Sequence, residues 1–247
     1  MINKVSFTAC CCIVSALFFF ATTNTSAQKK FDTCAAEGTA KPASYKALNV
    51  KKNRWIAPTV DQINDTVTFE DMMAADAADD LSEGDGAEIT GYVIGIKLGA
   101  LETCNCKKKD TVHRDTHIEL LLNPADSGDK TKILVVEVTP RFQRMMKKQG
   151  LDWTTRGLKE AFLGKWVKVR GWLFFDAMHA DESAGSGNTH VWRGTAWELH
   201  PVSHIELTAA TPQNKHPLRQ CSAITTKGTR CERMTSNVSG RCWQHEH

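Results

Sequence analysis

Apolar positions in the central part of this chain fall two residues apart. In residues 165–176, KWVKVRGWLFFD, Val167, Val169, Gly171, Leu173 and Phe175 alternate with Lys168, Arg170 and two tryptophans, the period of a half-buried strand. Similar patterns predict strands over 88–97, 117–122, 132–139 and 194–207, and glycines 91 and 95 suit a strongly bent first strand. The periodicity changes after the third strand. Pro140, with Thr139 as cap, opens a helix that Gly150 ends, and a second short helix over 155–163 stops at Gly164. Three strands, a helical connection and two more strands is the order of the five-stranded Greek-key barrel called the OB-fold. A β-sandwich would need more strands and no helical insert, and a doubly wound sheet would need helices between all its strands. The expected class is therefore mainly β with α. An OB-fold-like barrel over 87–208 carries a helical insert between strands 3 and 4, and a small Cys/His-stapled module follows it.

The flanking segments read differently. Residues 1–27 combine Lys4, an almost wholly apolar run over 5–21 and small residues at 25–27, the signature of a secretory signal peptide. The run is short of the roughly 20 residues of a membrane span. An exported protein, periplasmic or extracellular and without a span in its mature chain, is expected. Residues 28–86 form a basic then acidic arm: lysines and Arg54 dominate up to Trp55, and 61–88 holds ten acids and no Lys or Arg, read as a solvated acidic helix and loop. The acidic stretch lacks the alternating ligands of an EF-hand loop. Residues 209–220 are a linker.

Composition, 41% hydrophobic and 24% charged, excludes only disorder and membrane bundles. The net charge of +3 is unevenly spread: Lys4 contributes +1 and residues 212–247 contribute six Lys or Arg against two Glu, which leaves −2 for the body. Attraction to polyanions is thus expected in the tail.

In OB-folds, ligands lie on the face of strands 2 and 3 between the loops joining strands 1 to 2 and 4 to 5. Here those loops are the most polar stretches of the body. They and the adjacent strands offer Asp115, His117, Asp176, His179, Glu198 and His200, with His113, Asp181 and His190 nearby. Imidazoles and carboxylates together are the usual ligands of an open catalytic zinc or manganese site, although no fixed spacing motif is present. Six cysteines remain outside the leader. Cys104 and Cys106, one residue apart, are disulfide candidates with Cys34, and a metal site with His113 or His117 is the other reading. In the tail, Cys221, Cys231, Cys242 and His245 follow C-x9-C-x10-C-x2-H, which satisfies a tetrahedral zinc ion; disulfides are the competing staple. Arg230, Arg233, Arg241 and Trp243 beside these ligands suit phosphate contacts and base stacking.

The tail, with Thr225, Lys227, Gly228, Cys231, Arg233, Cys242, Trp243, Gln244 and His245, resembles short Cys3His modules found at the ends of bacterial and viral proteins, some of them behind exported nuclease-like domains. The body segments GYVIGIK, ETCNC, DTHIELLL, EVTPR, GWLFFD and TAWELHPV resemble a family of uncharacterised exported bacterial proteins with an OB-fold-like body. That resemblance implies a coherent fold and supplies no mechanism. The leading expectation is an exported binding module for nucleic acid or another polyanion, using the loop cleft and the basic tail. The alternatives are a metal-dependent, nuclease-like hydrolase using the His/Asp cluster, and a disulfide-stapled structural envelope protein.

Overall fold

The computed structural model describes residues 30–31, 33–208, 219–235, 240–242 and 245. The leader over 1–27, most of the linker and Trp243 lie outside the described residues. Five strands close a barrel: β1 (Gly86–Leu98), β2 (Thr116–Leu121), β3 (Leu134–Val138), β4 (Trp166–Phe175) and β5 (Trp197–Leu207). Their order around the barrel is 1-2-3-5-4. All neighbours are antiparallel except β3 and β5, which run parallel through Val136 and Leu199. This is the expected OB-fold-like Greek-key barrel. β1 can serve two partners because it is long and bent. Its first half pairs with β4 and its second with β2, and a bulge lies between Val93 and Gly95. A Cβ at Gly95 would sit 2.2 Å from the Glu119 carboxylate, so a side chain here would require that carboxylate to move.

Alternation fills the interior. Ile89, Val93, Ile118, Leu120, Leu134, Val136, Val169, Leu173, Trp197 and Leu199 point inward and form one buried cluster, each large aliphatic contributing about 1.5–3 kcal/mol by leaving water. The helical insert begins as its sequence suggests. In α3 (Pro140–Lys148) the Thr139 hydroxyl accepts from the Phe142 amide and Pro140 occupies the first turn; in α4 (Thr155–Phe162) the Thr154 hydroxyl accepts from the Gly157 amide. Phe142, Met146 and Leu158 pin both helices to the core.

The segment before the barrel is packed more deeply than its composition suggests. Two helices, α1 (Ala43–Lys52) and α2 (Phe69–Ala74), lie in it. The expectation of a solvated acidic helix is corrected: Phe69, Met72 and Leu81 belong to the barrel core, and Asp71 and Asp80 are buried. Asp71 has left water because it closes a capping box with Thr68, and Asp80 accepts from the amides of Asp76 and Ala77. The indole of Trp197 donates to the Ala77 carbonyl and the Thr195 hydroxyl to that of Ala75, which locks this segment against β5.

Candidate metal centres and a basic groove

The inward set on each strand fixes what faces outward. With Leu134, Val136, Trp197 and Leu199 inside, Glu137 of β3 and Glu198 and His200 of β5 must lie on the outer face, next to His117 of β2. This face would be wet were it not covered by the end of α1 and by the loop between β1 and β2, which bring Lys52, Glu102 and Cys104 over it. The result is a buried polar network. Lys52 Nζ donates to Glu102 at 2.9 Å and to Asp176 at 3.1 Å. His179 Nδ1 lies 2.8 Å from Asp176, His200 Nδ1 3.0 Å from Glu198, and Arg193 donates to Glu198 at 2.9 Å. His117 Nε2 lies 3.1 Å from Glu137, and the Asn105 amide donates to Asp115 at 2.7 Å. All six expected residues, Asp115, His117, Asp176, His179, Glu198 and His200, therefore meet in one network. His113 pairs with exposed Asp110 instead, and Asp181 and His190 are exposed on the second loop.

Three central members escaped the sequence reading: Lys52, Glu102 and Glu137. Glu137 carried a usable signal, a lone acid in the otherwise aliphatic strand LVVEV. Lys52 carried none, sitting in a basic run that reads as solvated.

Charge pairing sorts the carboxylates. Burial works against ionisation at Asp176, but Lys52 and His179 overcome it and hold the carboxyl well below its usual range. Glu102 is held low against burial by Lys52 and His117, and Glu198 by Arg193. Asp115 and Glu137 go the other way. Burial and then the Glu102 charge push Asp115 up to about 6, and burial with Glu198 and Glu102 pushes Glu137 well up. Burial would lower the Lys52 ammonium, yet Glu102 and Asp176 hold it well above its ordinary value. Several atoms of the network lack a hydrogen-bond partner: Asp115 Oδ1, Glu137 Oε2, His200 Nε2 and both ring nitrogens of His117. Ligand atoms lie within 4.8 Å of one another in the sets Asp115–Glu137–His200, Glu102–His117–Glu137 and Glu102–Cys104–Asp115.

The cysteines divide into three groups. Cys34 and Cys106 form a disulfide. Cys104 is corrected as a disulfide candidate: it is a buried free thiol turned toward Glu102, and burial pushes it well up. Chain geometry separates the neighbours, because Cys106 and Lys107 both adopt positive φ and swing Cys106 toward Cys34.

In the tail, Cys221, Cys231, Cys242 and His245 converge as four potential ligands with free thiols. The Cys231 and Cys242 sulfurs are 3.9 Å apart, and His245 Nδ1 is 3.5 Å from Cys221 and 3.3 Å from Cys242. A tetrahedron with metal–sulfur bonds of about 2.3 Å and metal–nitrogen bonds of about 2.0 Å has edges of about 3.8 and 3.5 Å, so the group could hold a metal ion. The three thiols do not form the disulfides weighed for this segment. The basic residues beside them are engaged: Arg230 donates to the carbonyls of Gln220 and Cys221, Arg233 pairs with Asp80 on the body, and Arg241 reaches the His245 carbonyl.

Positive charge collects elsewhere. Residues 140–165 hold seven Lys or Arg against two acids, Asp152 and Glu160. Two adjoining cavities of about 590 and 680 Å³ run along this insert and the end of β1, sharing Val112, Gln143, Thr154 and Arg156. Lys97, Arg144, Lys147, Arg156 and Lys159 rim them, with Val112 and Leu151 as exposed apolar surface and the core residue Trp153 beneath. The one acid lining them, Asp152, accepts from the Thr154 amide and hydroxyl. No helix among the described residues is long and apolar enough to cross a membrane. Comparison with known proteins adds no relative, since neither a family model nor a curated protein matches the chain.

Proposed function

We propose that this chain is an exported binding module for a polyanion, a single strand of nucleic acid in the first instance, and that the strand lies in the groove between β1 and the helical insert. The observation that carries this reading is the groove itself, with five cations on its rim, of which Lys97 pairs with Glu119 and Arg156 reaches Glu160, and a single lining acid that is occupied as a turn cap. Exposed apolar surface at Val112 and Leu151 between the cations suits the faces of bases, as in other OB-type surfaces. The loop cleft expected from the fold is a poorer seat, because buried carboxylates and the end of α1 fill it. The tail is assigned a zinc ion on Cys221, Cys231, Cys242 and His245, whose role is to fold a segment with little apolar content of its own. Anisotropy of a labelled single-stranded oligonucleotide titrated at several salt concentrations tests the binding. Affinity should fall steeply with salt, by about 0.7 in the logarithmic slope for each phosphate contacted. No affinity at low salt, or affinity indifferent to salt, removes the reading.

One observation favours a second reading, a metal-dependent hydrolase. His179 is about one-third exposed and is held by buried Asp176 at 2.8 Å, at the rim of the ligand network. The Asp176 hydrogen bond raises the pKa of this imidazole, which suits a group that moves protons beside a metal. Chelator-sensitive cleavage of phosphodiesters, abolished by His179→Ala, would support it. Absence of turnover with zinc, manganese and magnesium would count against it.

A further inference from the structure

The buried network on the outer face of the barrel is short of positive charge. It contains five carboxylates, Glu102, Asp115, Glu137, Asp176 and Glu198, and three permanent cations, Lys52, Arg141 and Arg193, a balance of −2 with neutral imidazoles. Lys52 answers Glu102 and Asp176, and Arg193 answers Glu198. Lys52 carries one charge for two carboxylates and Arg141 acts on Asp115, so the deficit is shared across the network and includes Asp115 and Glu137, both about 1% exposed.

These same two carboxylates carry unpartnered oxygens. Asp115 Oδ1 and Glu137 Oε2 are buried without a hydrogen-bond partner, Glu137 Oε2 lying 3.3 Å from His200 Nδ1, and Nε2 of His200, a residue with no exposed surface, is unpartnered too. The state of His200 is set from behind. Its Nδ1 lies 3.0 Å from Glu198, which Arg193 anchors at 2.9 Å, so the ring donates there and leaves an Nε2 lone pair. A carboxylate behind an imidazole is the arrangement that fixes the tautomer of a metal-bound histidine. The remaining contacts also have the wrong character for hydrogen bonds. His117 Nε2 is 3.1 Å from Glu137 Oε1, yet neither His117 nitrogen has a hydrogen-bond partner. Two atoms each about 2.1 Å from a common ion are separated by about 3.0–3.4 Å, which is the spacing found.

We infer that the barrel holds a divalent cation on Asp115, Glu137 and His200, with Glu102 and His117 forming a second donor set around Glu137 on the side nearer solvent. Glu137 belongs to both ligand sets and joins the inner three to the outer two. Imidazole and carboxylate donors without thiolate select a first-row ion such as zinc, manganese or iron(II). The Cys104 thiol donates to Glu102 and is not a ligand. Lys52 closes the other side of Glu102 and supports it in place. This centre is separate from the cysteine site of the tail and rests on neither functional reading above.

The test must distinguish the two sites in the full chain. Cys231→Ser with Cys242→Ser disables the tail, and the protein is then dialysed with cobalt(II), zinc or manganese and its metal content measured after removal of excess ion. The expected result is about one tightly held ion per chain, with cobalt(II) d–d absorption and no thiolate charge-transfer band. In that background Glu137→Gln and His200→Gln should each weaken binding by at least about 100-fold, and Glu198→Gln, which acts through His200, by about 10–100-fold. A folded tail-disabled protein that retains none of the three metals overturns the proposal, as does retention of the ion with unchanged affinity in His200→Gln. Should a variant fail to fold, cobalt(II) added to the unsubstituted chain decides the matter. A second equivalent with nitrogen and oxygen ligation supports the centre, and a single thiolate-ligated equivalent overturns it.

Discussion

The ammonium of Lys52 and the carboxylate of Asp176 lie 3.1 Å apart across 124 residues of sequence, both almost fully buried. Their pairing fastens the end of α1 to the end of β4. Lys52→Met leaves both Asp176 and Glu102 without their buried cation and should cost about 3–5 kcal/mol in chemical unfolding, Asp176→Asn should cost less because Lys52 keeps Glu102, and the double substitution should cost less than the sum.

The same pair predicts a direction with pH. The Asp176 carboxyl is held below its unfolded value of about 3.9, so its contribution is complete above about pH 4 and is lost as pH falls from there toward its folded value. His179 acts oppositely: its pKa is raised, so its contribution is present below about pH 6.5 and disappears as pH rises through the folded value. Unfolding free energy of Asp176→Asn should be flatter than that of the parent in both windows, and an unchanged acid limb would show that other carboxylates dominate it.

Gly99, at the start of the β1–β2 loop, packs directly against His117 of the network. A Cβ there would sit 2.8 Å from His117 Nε2 and 3.0 Å from the Asp115 carbonyl. Gly99→Ala should therefore displace His117, lower stability by about 1–3 kcal/mol and weaken the barrel metal, read by melting with and without added ion.

Charge reversal in the groove separates the binding reading from general basicity. Lys147 and Arg156 are exposed, so Lys147→Glu with Arg156→Glu should leave stability within about 1 kcal/mol while weakening oligonucleotide binding about 10-fold or more and reducing its salt slope. Equal loss on reversing lysines far from the groove, such as Lys41 and Lys46, would show that net charge alone is at work.

Thiol chemistry reports the three cysteine environments in turn. Among the described residues four thiols are free, Cys104, Cys221, Cys231 and Cys242. With metal bound, alkylation of the native protein should modify none of them. After chelation the three tail thiols should react and the tail should become protease-sensitive while the barrel stays folded, and Cys104 should react only on unfolding. Reduction of Cys34–Cys106, which closes a loop of 72 residues, should cost about 2–4 kcal/mol. Mass spectrometry of the alkylated chain checks each step.

What was legible in the sequence was local. Val167, Val169 and Leu173 alternate because one side of β4 faces the core, and Thr139-Pro140 starts α3 through its own hydroxyl and ring. The histidines and acids of the site could be placed on strands because period-two order fixes their face. The counter-ions could not, since Lys52 reaches Glu102 and Asp176 across 50 and 124 residues and no local pattern records such a meeting. The acidic stretch misled for a related reason. Its charge count is that of a solvated loop, but Phe69, Met72 and Leu81 anchor it in the core, and Asp71 and Asp80 are satisfied by amides only a few residues away.

The parallel pairing of β3 with β5 has a consequence for synthesis. The last strand is the piece that sits between β3 and β4, so a chain emerging in order has both of those edges open until residue 207 has appeared. Nascent chains stopped anywhere between 176 and 196 would carry four strands, an unclosed core and two unpaired ladders ready to join a neighbour. For such a protein the vulnerable interval is late in translation, and a holdase that shields it then would raise yield more than any stabilisation of the finished barrel.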